Sequence, residues 1–525
     1  MKTRSILAAV LLTAGVALAP LQASAQNREP APVEVTIHAD QPGPKINKNI
    51  YGQFAEHLGT GIYEGVWVGE GSPIPNTKGY RDDVIAALRD LKVPVVRWPG
   101  GCFADDYHWR EGVGPRENRP VRVNAHWGGV PETNEFGTHE FMAFAEMIGA
   151  KVYISANVGS GTVQEMGDWL EYMTSDTQSA LANERRRNGR EEPWMIDYFG
   201  IGNETWGCGG NMRPEYYADL FRQYAAYVNI RTLPQRRPVI VASGGNDAGT
   251  RWAEVMSTMG GNDVHALSHH YYTRPRQVRW EDKGAAIGFG ESEWISTLSN
   301  TMLIDDYITA NVAVLDRNDP KGRTAFYVDE WGTWYDTEPG REPGFLYQQN
   351  SIRDGLVAAL NFNIFHAHAE RVQMTNIAQM VNVLQAMILT DGERMTLTPT
   401  YHVFHMYKPF QDATFLPTDI RTPTYTLGDF SVPTVDVTAA RGVDGRIYFA
   451  LVNLDPNREA VVRTDVTGTS ITNAVGRVLT APALDTHNTV DNPGAVTPAP
   501  YQARRDGDHL TLRLPPKSVV VVALD

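Results

Sequence analysis

Two glutamates in this sequence directly follow apolar runs. Glu204 ends the segment YFGIGNE at residues 198–204, and Glu330 lies within FYVDEW at residues 326–331. Taken singly, either side chain would be read as a surface or ion-pairing carboxylate. Two carboxyl groups at the ends of strands in one sheet can instead share a pocket. There, one can donate a proton while the other acts as a nucleophile.

Such a pair suits cleavage of a glycosidic bond with retention of configuration. That reaction needs two carboxyl groups about 5–5.5 Å apart. One attacks the anomeric carbon, while the other protonates the leaving oxygen and later activates water. Glu204 and Glu330 are therefore the candidate catalytic pair.

The elements that must position these residues alternate between strand-like and helix-like patterns. Helical periodicity covers residues 80–92, 140–150 and 214–231. A doubly wound sheet would alternate similarly, but no GxGxxG or GxxxxGK[ST] motif supports it. We therefore predict an α/β fold with a (β/α)8 TIM barrel, in which Glu204 and Glu330 end the fourth and seventh strands. The eight apolar runs are residues 50–54, 93–97, 152–156, 198–202, 239–242, 264–268, 325–328 and 372–375.

The chain changes character from about residue 396. Short strand-like runs with polar turns and no long helix follow, which predicts a small antiparallel β-sandwich. An early strand near Val33 needs a partner and is expected to pair with it. We expect a signal peptide at residues 1–25, N-terminal strand(s) of the sandwich at 26–48, the catalytic barrel at 49–395 and the β-sandwich domain at 396–525.

The first 25 residues resemble an export signal. Lys2 and Arg4 precede an apolar stretch at residues 6–18, and the small residues Ala23-Ser24-Ala25 suit cleavage. We therefore predict a secreted protein, periplasmic or extracellular. Removing these residues takes the two positive charges and no acidic residue, so the formal net charge moves from −14 to −16. This acidity argues against nucleic acid or an anionic membrane as a partner. A neutral substrate fits the charge; so does a cationic one, but no other feature of the sequence favours it.

Several motifs resemble those of one enzyme family. GNE at 202–204 and DEW at 329–331 are similar to the acid/base and nucleophile motifs of the barrel-fold glycosidase clan, which implies Glu204 as the general acid/base and Glu330 as the nucleophile. Further segments narrow the resemblance to the retaining α-L-arabinofuranosidases of glycoside hydrolase family 51, and all occur in the family's order. They are FAEHLG at 54–59, RWPGG at 97–101, YHW at 107–109, SHHYY at 268–272 and AQMVN at 378–382.

The resemblance implies a barrel joined to a β-sandwich built from both chain ends. It also implies cofactor-independent release of terminal, non-reducing α-L-arabinofuranosyl groups from arabinan, arabinoxylan and related oligosaccharides, as in hemicellulose degradation. Relatives are often hexamers, which leaves a homo-oligomer open. The residues expected to bind substrate are Glu56, Cys102, Asn203, Tyr272 and Gln379, with Arg97 and His270 in support. Asn203 is expected to hydrogen-bond the sugar 2-OH, and Arg97 to keep Glu330 ionised.

One position departs from the family pattern. Many relatives carry Asn after the double glycine, where this chain has Cys102, so the substrate hydrogen bond expected there is in doubt. The other cysteine, Cys208, follows Glu204 by four residues. The two cysteines can form a disulfide between loops after the second and fourth strands, or can remain two buried thiols. Both alternatives stay open at this point.

Other interpretations were weighed. His265, His269 and His270 suggest a metal site, but a strand end gives unsuitable spacing and HExxH is absent, so no metal is assigned. Trp98, Trp206 and Trp331 can stack on sugar or simply pack in the core. Within the enzyme class, a β-xylosidase or endoglucanase of similar fold is the alternative. A non-catalytic carbohydrate-binding protein is disfavoured because both glutamates are present.

Overall fold

The computed structural model describes residues 32–524, apart from residues 247, 278–280, 470–472 and 508. The proposed signal segment lies outside this part. Eight parallel strands form a closed barrel, in which each strand pairs with the next along the chain and the eighth pairs with the first. In chain order the barrel strands are Gly52–Phe54, Val95–Trp98, Lys151–Ala156, Tyr198–Ile201, Val239–Ala242, Ala266–Thr273, Ala325–Thr333 and Val372–Ile377.

Each predicted apolar run contains part of one barrel strand, but the bounds differ. The first strand is short because Lys48–Tyr51 forms a 3-10 turn, whose start is capped by the side chain of Asn47. The sixth and seventh strands continue five residues beyond the predicted runs, to Thr273 and Thr333. Backbone pairing does not require apolar side chains, so the polar residues of the site belong to the strands themselves.

Helices cover the outside of the barrel. α5 shows why they form where they do: Pro214 occupies its first turn, and Tyr217, Phe221 and Val228 repeat on its buried face. In the described part of the chain the α-helices are α1 (Asp82–Leu91), α2 (Thr138–Ile148), α3 (Val163–Thr174), α4 (Ala180–Arg187), α5 (Pro214–Arg231), α6 (Arg251–Met259), α7 (Glu291–Asn318), α8 (Ile352–Ala367) and α9 (Pro399–Tyr407).

The nine-residue helix α9 follows residue 396, where the sequence predicted short strands and no long helix. Thr398 caps its start by accepting from the Tyr401 backbone N–H, and Pro399 occupies its first turn. The Tyr401 hydroxyl donates to the Ala87 carbonyl of α1, so α9 packs on the barrel. The first strand of the sandwich sheets after the barrel begins at Thr414, later than the predicted boundary.

Two sheets form the sandwich. One has the order Thr418–Arg421, Val33–His38, Ala460–Thr467, His509–Leu514 and Arg504–Asp506. The other has the order Thr414–Leu416, Val435–Arg441, Ile447–Asn453, Ser518–Leu524, Ala474–Leu479 and Ala499–Gln502. In the early strand Val33, Val35 and Ile37 are buried, and the strand pairs in parallel with Ala460–Thr467. Both chain ends thus contribute to one core, and barrel and sandwich together confirm the predicted fold class.

Short elements complete the structure. Among the described residues no helix is long and apolar enough to cross a membrane. The 3-10 helices are Lys48–Tyr51, Cys102–Asp105, Trp109–Gly112, Arg116–Asn118, Pro234–Arg236, Pro343–Phe345 and Lys408–Phe410. Two-stranded hairpins pair Asn76–Thr77 with Tyr80–Arg81, Arg122–Asn124 with Val130–Glu132, Ile388–Asp391 with Arg394–Leu397, and Thr424–Leu427 with Phe430–Pro433.

Candidate active site

The ends of the fourth and seventh barrel strands bring the two candidate glutamates together. One carboxylate oxygen of Glu204, one of Glu330 and a ring nitrogen of His270 all lie within 4.8 Å of one another. Retaining glycosidases hold their two carboxyl groups about 5–5.5 Å apart, whereas inverting enzymes separate them by about 6.5–9.5 Å. The spacing therefore fits direct attack by one carboxylate and leaves no room for a water between the pair.

An irregularity in the seventh strand aims two consecutive acidic residues into the site. Its register against the eighth strand shifts between Val328 and Trp331, the stretch that contains Asp329 and Glu330. In a regular strand neighbouring side chains point to opposite faces, but a bulge removes that alternation. As a result both side chains contact the guanidinium of Arg97.

Glu330 is held by donors from two other strands. Arg97 donates from Nη1 to Glu330 Oε1 at 2.8 Å, and the Tyr272 hydroxyl donates to Oε2, also at 2.8 Å. His270 Nδ1 lies 3.4 Å from Oε2. Arg97 is buried and also donates to the Asp329 carbonyl at 3.2 Å. These contacts fix the orientation of the Glu330 carboxylate and give it cationic neighbours.

Glu204 has a different environment. His270 Nδ1 lies 2.9 Å from Glu204 Oε1. Burial raises the pKa of Glu204; the hydrogen bond from His270 opposes this, while the charge of Glu330 adds to it. The backbone of Glu204 lies in the left-handed region, with φ of 41°. Since a non-glycine residue adopts that conformation at a cost, its surroundings must hold it there.

His270 links three carboxylates. Besides its contacts with both glutamates, its Nε2 lies 3.3 Å from Asp329 Oδ1. Burial alone would lower the pKa of His270, but Glu330, Asp329 and Glu204 raise it to about 10. The pKa of Asp329 shifts in the opposite direction. Burial favours the neutral form of its carboxyl group, but Arg97 and His270 lower its pKa below the usual value. The Tyr153 hydroxyl donates to Asp329 Oδ2 at 2.7 Å.

Hydrogen bonds hold both the side chain and the backbone of Asn203. Its side-chain oxygen accepts from Arg97 Nη2, and its backbone N–H donates to Asp105 Oδ2 at 2.8 Å. Asp105 also accepts from the backbone N–H groups of Val158 and Gly159. Burial raises its pKa to about 7 against those three hydrogen bonds. No local pattern in the sequence indicates Asp105 as a site residue, because the loops that it joins follow three different strands.

Glu56 and Gln379 meet at the opposite wall. Gln379 Nε2 donates to Glu56 Oε2 at 3.1 Å. Glu56 Oε1 accepts from the Phe103 backbone N–H at 3.0 Å and from Trp127 Nε1 at 2.8 Å. Burial, and then the charge of Glu330, raise the pKa of Glu56 to about 7. Trp127 was missed: it lies in a short hairpin loop whose sequence carries no periodic signal.

Gly100 and Gly101, directly after the second strand, leave room for the side chains of Glu56 and Glu330. A Cβ at Gly101 would lie 3.0 Å from Glu330 Oε1, and a Cβ at Gly100 would lie 2.6 Å from Glu56 Cγ. Because these atoms belong to fixed side chains, a larger residue at either position would displace the site. This accounts for the RWPGG motif in steric terms.

A cavity of about 700 Å³ reaches the site at Glu204, His270 and Tyr272. Of the three tryptophans considered, only Trp206 lines it. Trp98 and Trp331 are fully buried core residues, and Trp98 Nε1 donates to His57 Nε2 at 3.1 Å. The lining residues are Cys102, Trp127, Glu204, Trp206, Asn246, His270, Tyr271, Tyr272, Arg274, Gln277, Leu303, Tyr307 and Trp334.

The cysteines and histidines can now be placed. Cys102 and Cys208 form a disulfide with a Cα–Cα distance of 5.5 Å, so the alternative of two free thiols does not hold. His269 is buried, its ring 5.6 Å from that of Phe326, and burial lowers its pKa to about 3. His265 accepts from the Ile240 backbone N–H instead. The three histidines therefore do not converge on one ligand.

Comparisons with known proteins agree with this geometry. Residues 87–284 match the model of the α-L-arabinofuranosidase 1 domain, and residues 329–518 match the α-L-arabinofuranosidase C-terminal domain. An intracellular exo-α-L-arabinofuranosidase of Bacteroides ovatus is 46% identical over 527 residues and covers 100% of both chains.

The chain belongs to the α-L-arabinofuranosidase family.

Solved structures support the same family. The GH51 arabinofuranosidase of Xanthomonas axonopodis pv. citri is 54% identical, with a TM-score of 0.92, over 94% of this chain and 100% of that one. The α-L-arabinofuranosidase of Thermotoga maritima, solved as an arabinose complex, is 29% identical, with a TM-score of 0.83, over 94% of this chain and 99% of that chain. The resemblance to family 51 is thus confirmed.

One prediction is overturned by these comparisons. The Bacteroides ovatus relative, which aligns over its whole length, is named an intracellular enzyme. This contradicts the export that residues 1–25 suggested, and the predicted periplasmic or extracellular location is wrong. An apolar stretch followed by small residues is a short compositional signal, and it carries less weight than a relative matched along the entire chain.

Proposed function

We propose that this α-L-arabinofuranosidase releases terminal, non-reducing arabinofuranosyl groups from arabinan- or arabinoxylan-type chains by double displacement with retention. The observation that carries the mechanism is the pair of carboxylates within 4.8 Å of each other in unlike environments. Glu330 accepts from a cation and a hydroxyl, whereas burial raises the pKa of Glu204. The relatives are named arabinofuranosidases, and one of them is named an exo-acting enzyme.

In the first half of the reaction Glu330 attacks the anomeric carbon. The bond from that carbon to the leaving oxygen breaks, and the proton of Glu204 passes to that oxygen. Arg97 and Tyr272 keep the Glu330 carboxylate oriented for attack. Asn203, held by Arg97, donates toward the sugar 2-OH, an interaction that strengthens in the transition state.

In the second half Glu204 acts as a base. Formation of the ester removes the charge of Glu330, which is one of the influences that raise the pKa of Glu204. Water gives its proton to Glu204 while its oxygen attacks the anomeric carbon, and the bond to Glu330 breaks. His270, already 2.9 Å from Glu204 Oε1, holds the carboxylate in place through both halves.

Different strands serve the two sides of the scissile bond. The sugar that reacts lies against Glu56, Gln379, Tyr272 and Trp127, from the first, second, sixth and eighth strands and their loops. The leaving group lies on the other side of Glu204, where the loops after the fourth and fifth strands bring Trp206 and Asn246 into the cavity. An indole face and an amide suit the C–H face and hydroxyls of a second sugar.

The variant Glu204→Ala tests these roles. With a nitrophenyl α-L-arabinofuranoside its deglycosylation step should slow about 10²–10⁴-fold, because no base activates water. Added azide needs no base and should restore the rate, giving an arabinosyl azide of retained configuration. An azide of inverted configuration would mean that the roles of the two glutamates must be exchanged.

The wild-type protein provides the control for substrate class. Nitrophenyl α-L-arabinofuranoside should be the best substrate in a panel with β-D-xyloside and cellobioside analogues. A higher kcat/KM for either of those would favour the alternative β-xylosidase or endoglucanase. Sugar analysis of digested arabinan and arabinoxylan should give arabinose alone, since terminal groups are removed one at a time.

A further inference from the structure

The disulfide between Cys102 and Cys208 lies beside Glu204, the proposed acid/base. Cys102 begins the 3-10 helix after the second barrel strand and lines the active-site cavity, and Cys208 lies in the loop after the fourth strand. Both residues are half-buried, and Cys102 lines the cavity. The proposed double displacement uses neither of these sulfur atoms.

The orientation of Glu204 makes this contact specific. Its Oε1 is 2.9 Å from His270 Nδ1, whereas its Oε2 lies 3.6 Å from Cys208 Sγ. A disulfide sulfur has no hydrogen to donate, so the second distance is a plain contact. The oxygen that His270 leaves available is therefore the one that faces the two sulfurs.

We propose that reduction of this disulfide creates an inhibitory site for a thiophilic divalent cation such as Zn²⁺, formed by Cys102, Cys208 and Glu204. A dithiol reduces the S–S bond, is itself oxidised to a cyclic disulfide, and leaves two thiols on the protein. Each thiol loses its proton to solvent when its sulfur binds the cation. The inhibitory part rests on the proposed role of Glu204 as acid/base.

The ligand atoms are close enough for such a site. One sulfur of each cysteine and one oxygen of Glu204 lie within 4.8 Å of one another. Tetrahedral zinc has Zn–S distances of about 2.3 Å and Zn–O distances of about 2.0–2.2 Å, which puts its ligands roughly 3.5–4 Å apart. Once the S–S bond is broken the two sulfurs can move apart to this spacing, and Cys102 and Glu204 line the cavity, from which water can supply the fourth ligand.

The surroundings favour a soft cation. Asn203 Nδ2 lies 3.9 Å from Cys208 Sγ and can donate to a thiolate, as partners of metal ligands commonly do. Thiolates select zinc-like ions over magnesium or calcium. Glu330 and Asp329 add negative charge nearby, and Arg97 and His270 oppose it. A cation on Glu204 Oε2 takes the position of the catalytic proton, so hydrolysis stops.

Zinc titration of activity tests the proposal. The protein is assayed oxidised, and again after dithiol reduction and removal of the dithiol without air. Reduction should lower the zinc concentration for half-inhibition about 100-fold, because the thiolates become ligands. A chelator should restore the activity. Cys102→Ser/Cys208→Ser should respond to zinc as the oxidised protein does under either treatment, and the unmutated oxidised protein is the control should that variant fold poorly.

Cobalt spectroscopy gives a readout that needs no catalysis. One Co²⁺ per reduced chain should produce sulfur-to-cobalt absorption in the near ultraviolet, absent from the oxidised protein. Equal zinc sensitivity of both forms, or no cobalt absorption on reduction, would overturn the site. Absorption without inhibition would overturn the assignment of Glu204 as a ligand. An oxidised protein inactive on every arabinofuranoside would contradict the proposed function instead, and the cobalt spectrum would still decide the site.

Discussion

The catalytic end of the barrel and the core of the sandwich are equally buried, but the first buries charged side chains and the second buries apolar ones. Arg97, His270, Asp329 and Glu330 are all less than 5% exposed at the barrel end. In the sandwich a comparably buried residue is Leu451, which packs among valines, leucines and a phenylalanine. Burial of apolar surface stabilises in proportion to area, whereas burial of charge costs free energy unless every charge has partners.

Because of this difference, substitutions in the two regions should affect different properties of the protein. The four charged residues pair with one another, and removal of one leaves the others without compensation. A substitution at the barrel end should therefore change chemistry most, and one in the sandwich should change the free energy of unfolding most. A residue that changed both equally would show that the two regions are not independent.

The largest effect is expected at the nucleophile. Glu330→Ala should lower kcat by at least about 10⁴-fold on every arabinofuranoside, because no covalent intermediate can form. Steady-state kinetics of the variant measure this loss. Mass spectrometry of the wild-type protein, trapped with a 2-fluoro-arabinofuranoside, identifies the residue that carries the sugar. Near-normal turnover, or a trapped sugar on another residue, would contradict the assignment of Glu330.

Much of this fold and site could be predicted from the sequence because the signals are local. Apolar runs indicated all eight barrel strands, and carboxylates directly after such runs indicated Glu204 and Glu330. Helix α9 also had local signals, Thr398 and Pro399, which were overlooked beside the strand-like tail. The sandwich followed from short strand-like runs separated by polar turns.

Other features depend on contacts that no local pattern records. Trp127 reaches Glu56 across 71 positions, and Asp105 reaches the Asn203 backbone across 98. The disulfide joins residues 106 apart, so its alternatives could be stated but not resolved from one sequence. Such partners are set by the closure of the barrel, which brings loops after different strands to one end.

The sandwich provides the opposite test. Leu451→Ala removes a fully buried side chain and should lower the free energy of unfolding by about 2–5 kcal/mol. Urea unfolding followed by circular dichroism measures this, with kcat measured well below the unfolding transition. We expect kcat within twofold of the wild-type value. A much lower kcat with unchanged KM would mean that the sandwich core transmits strain to the site.

A smaller effect is expected at the rim of the cavity. Trp206→Ala should lower the ratio of kcat/KM for an arabino-oligosaccharide to that for arabinofuranosyl fluoride about tenfold, because fluoride leaves without a sugar to stack. Trp334 also lines the cavity, and its ring packs on that of Tyr272 with the ring centroids 4.9 Å apart, so Trp334→Ala is the matched control and should lower both values together. An unchanged ratio for Trp206→Ala would place the leaving group elsewhere.

The smallest effect concerns a buried titratable group that serves no catalytic step. His366 of α8 joins barrel and sandwich: its Nε2 lies 2.8 Å from the Tyr51 hydroxyl and its Nδ1 lies 3.2 Å from Thr438 Oγ1. Burial lowers its pKa from 6.5 to about 3, so the folded protein holds the ring neutral. Below pH 6.5 this histidine binds a proton in the unfolded chain, whereas in the folded protein its ring stays neutral. Stability is therefore full above pH 6.5 and is lost as the pH falls toward 3.

His366→Gln keeps a donor and an acceptor but removes the titration. Between pH 7.5 and 5.5 the wild-type protein should lose about 1 kcal/mol more unfolding free energy than the variant, since one proton corresponds to about 1.4 kcal/mol per pH unit below pH 6.5. Urea unfolding at these two pH values measures the difference, and His269, also buried and neutral, contributes equally to both proteins. Identical pH dependence in the two proteins would mean that His366 is protonated in the folded state. His366 would then be a buried cation whose hydrogen-bond partners, Tyr51 and Thr438, carry no charge, and the pairing of buried charges seen at the catalytic end would not hold at the junction of the two regions.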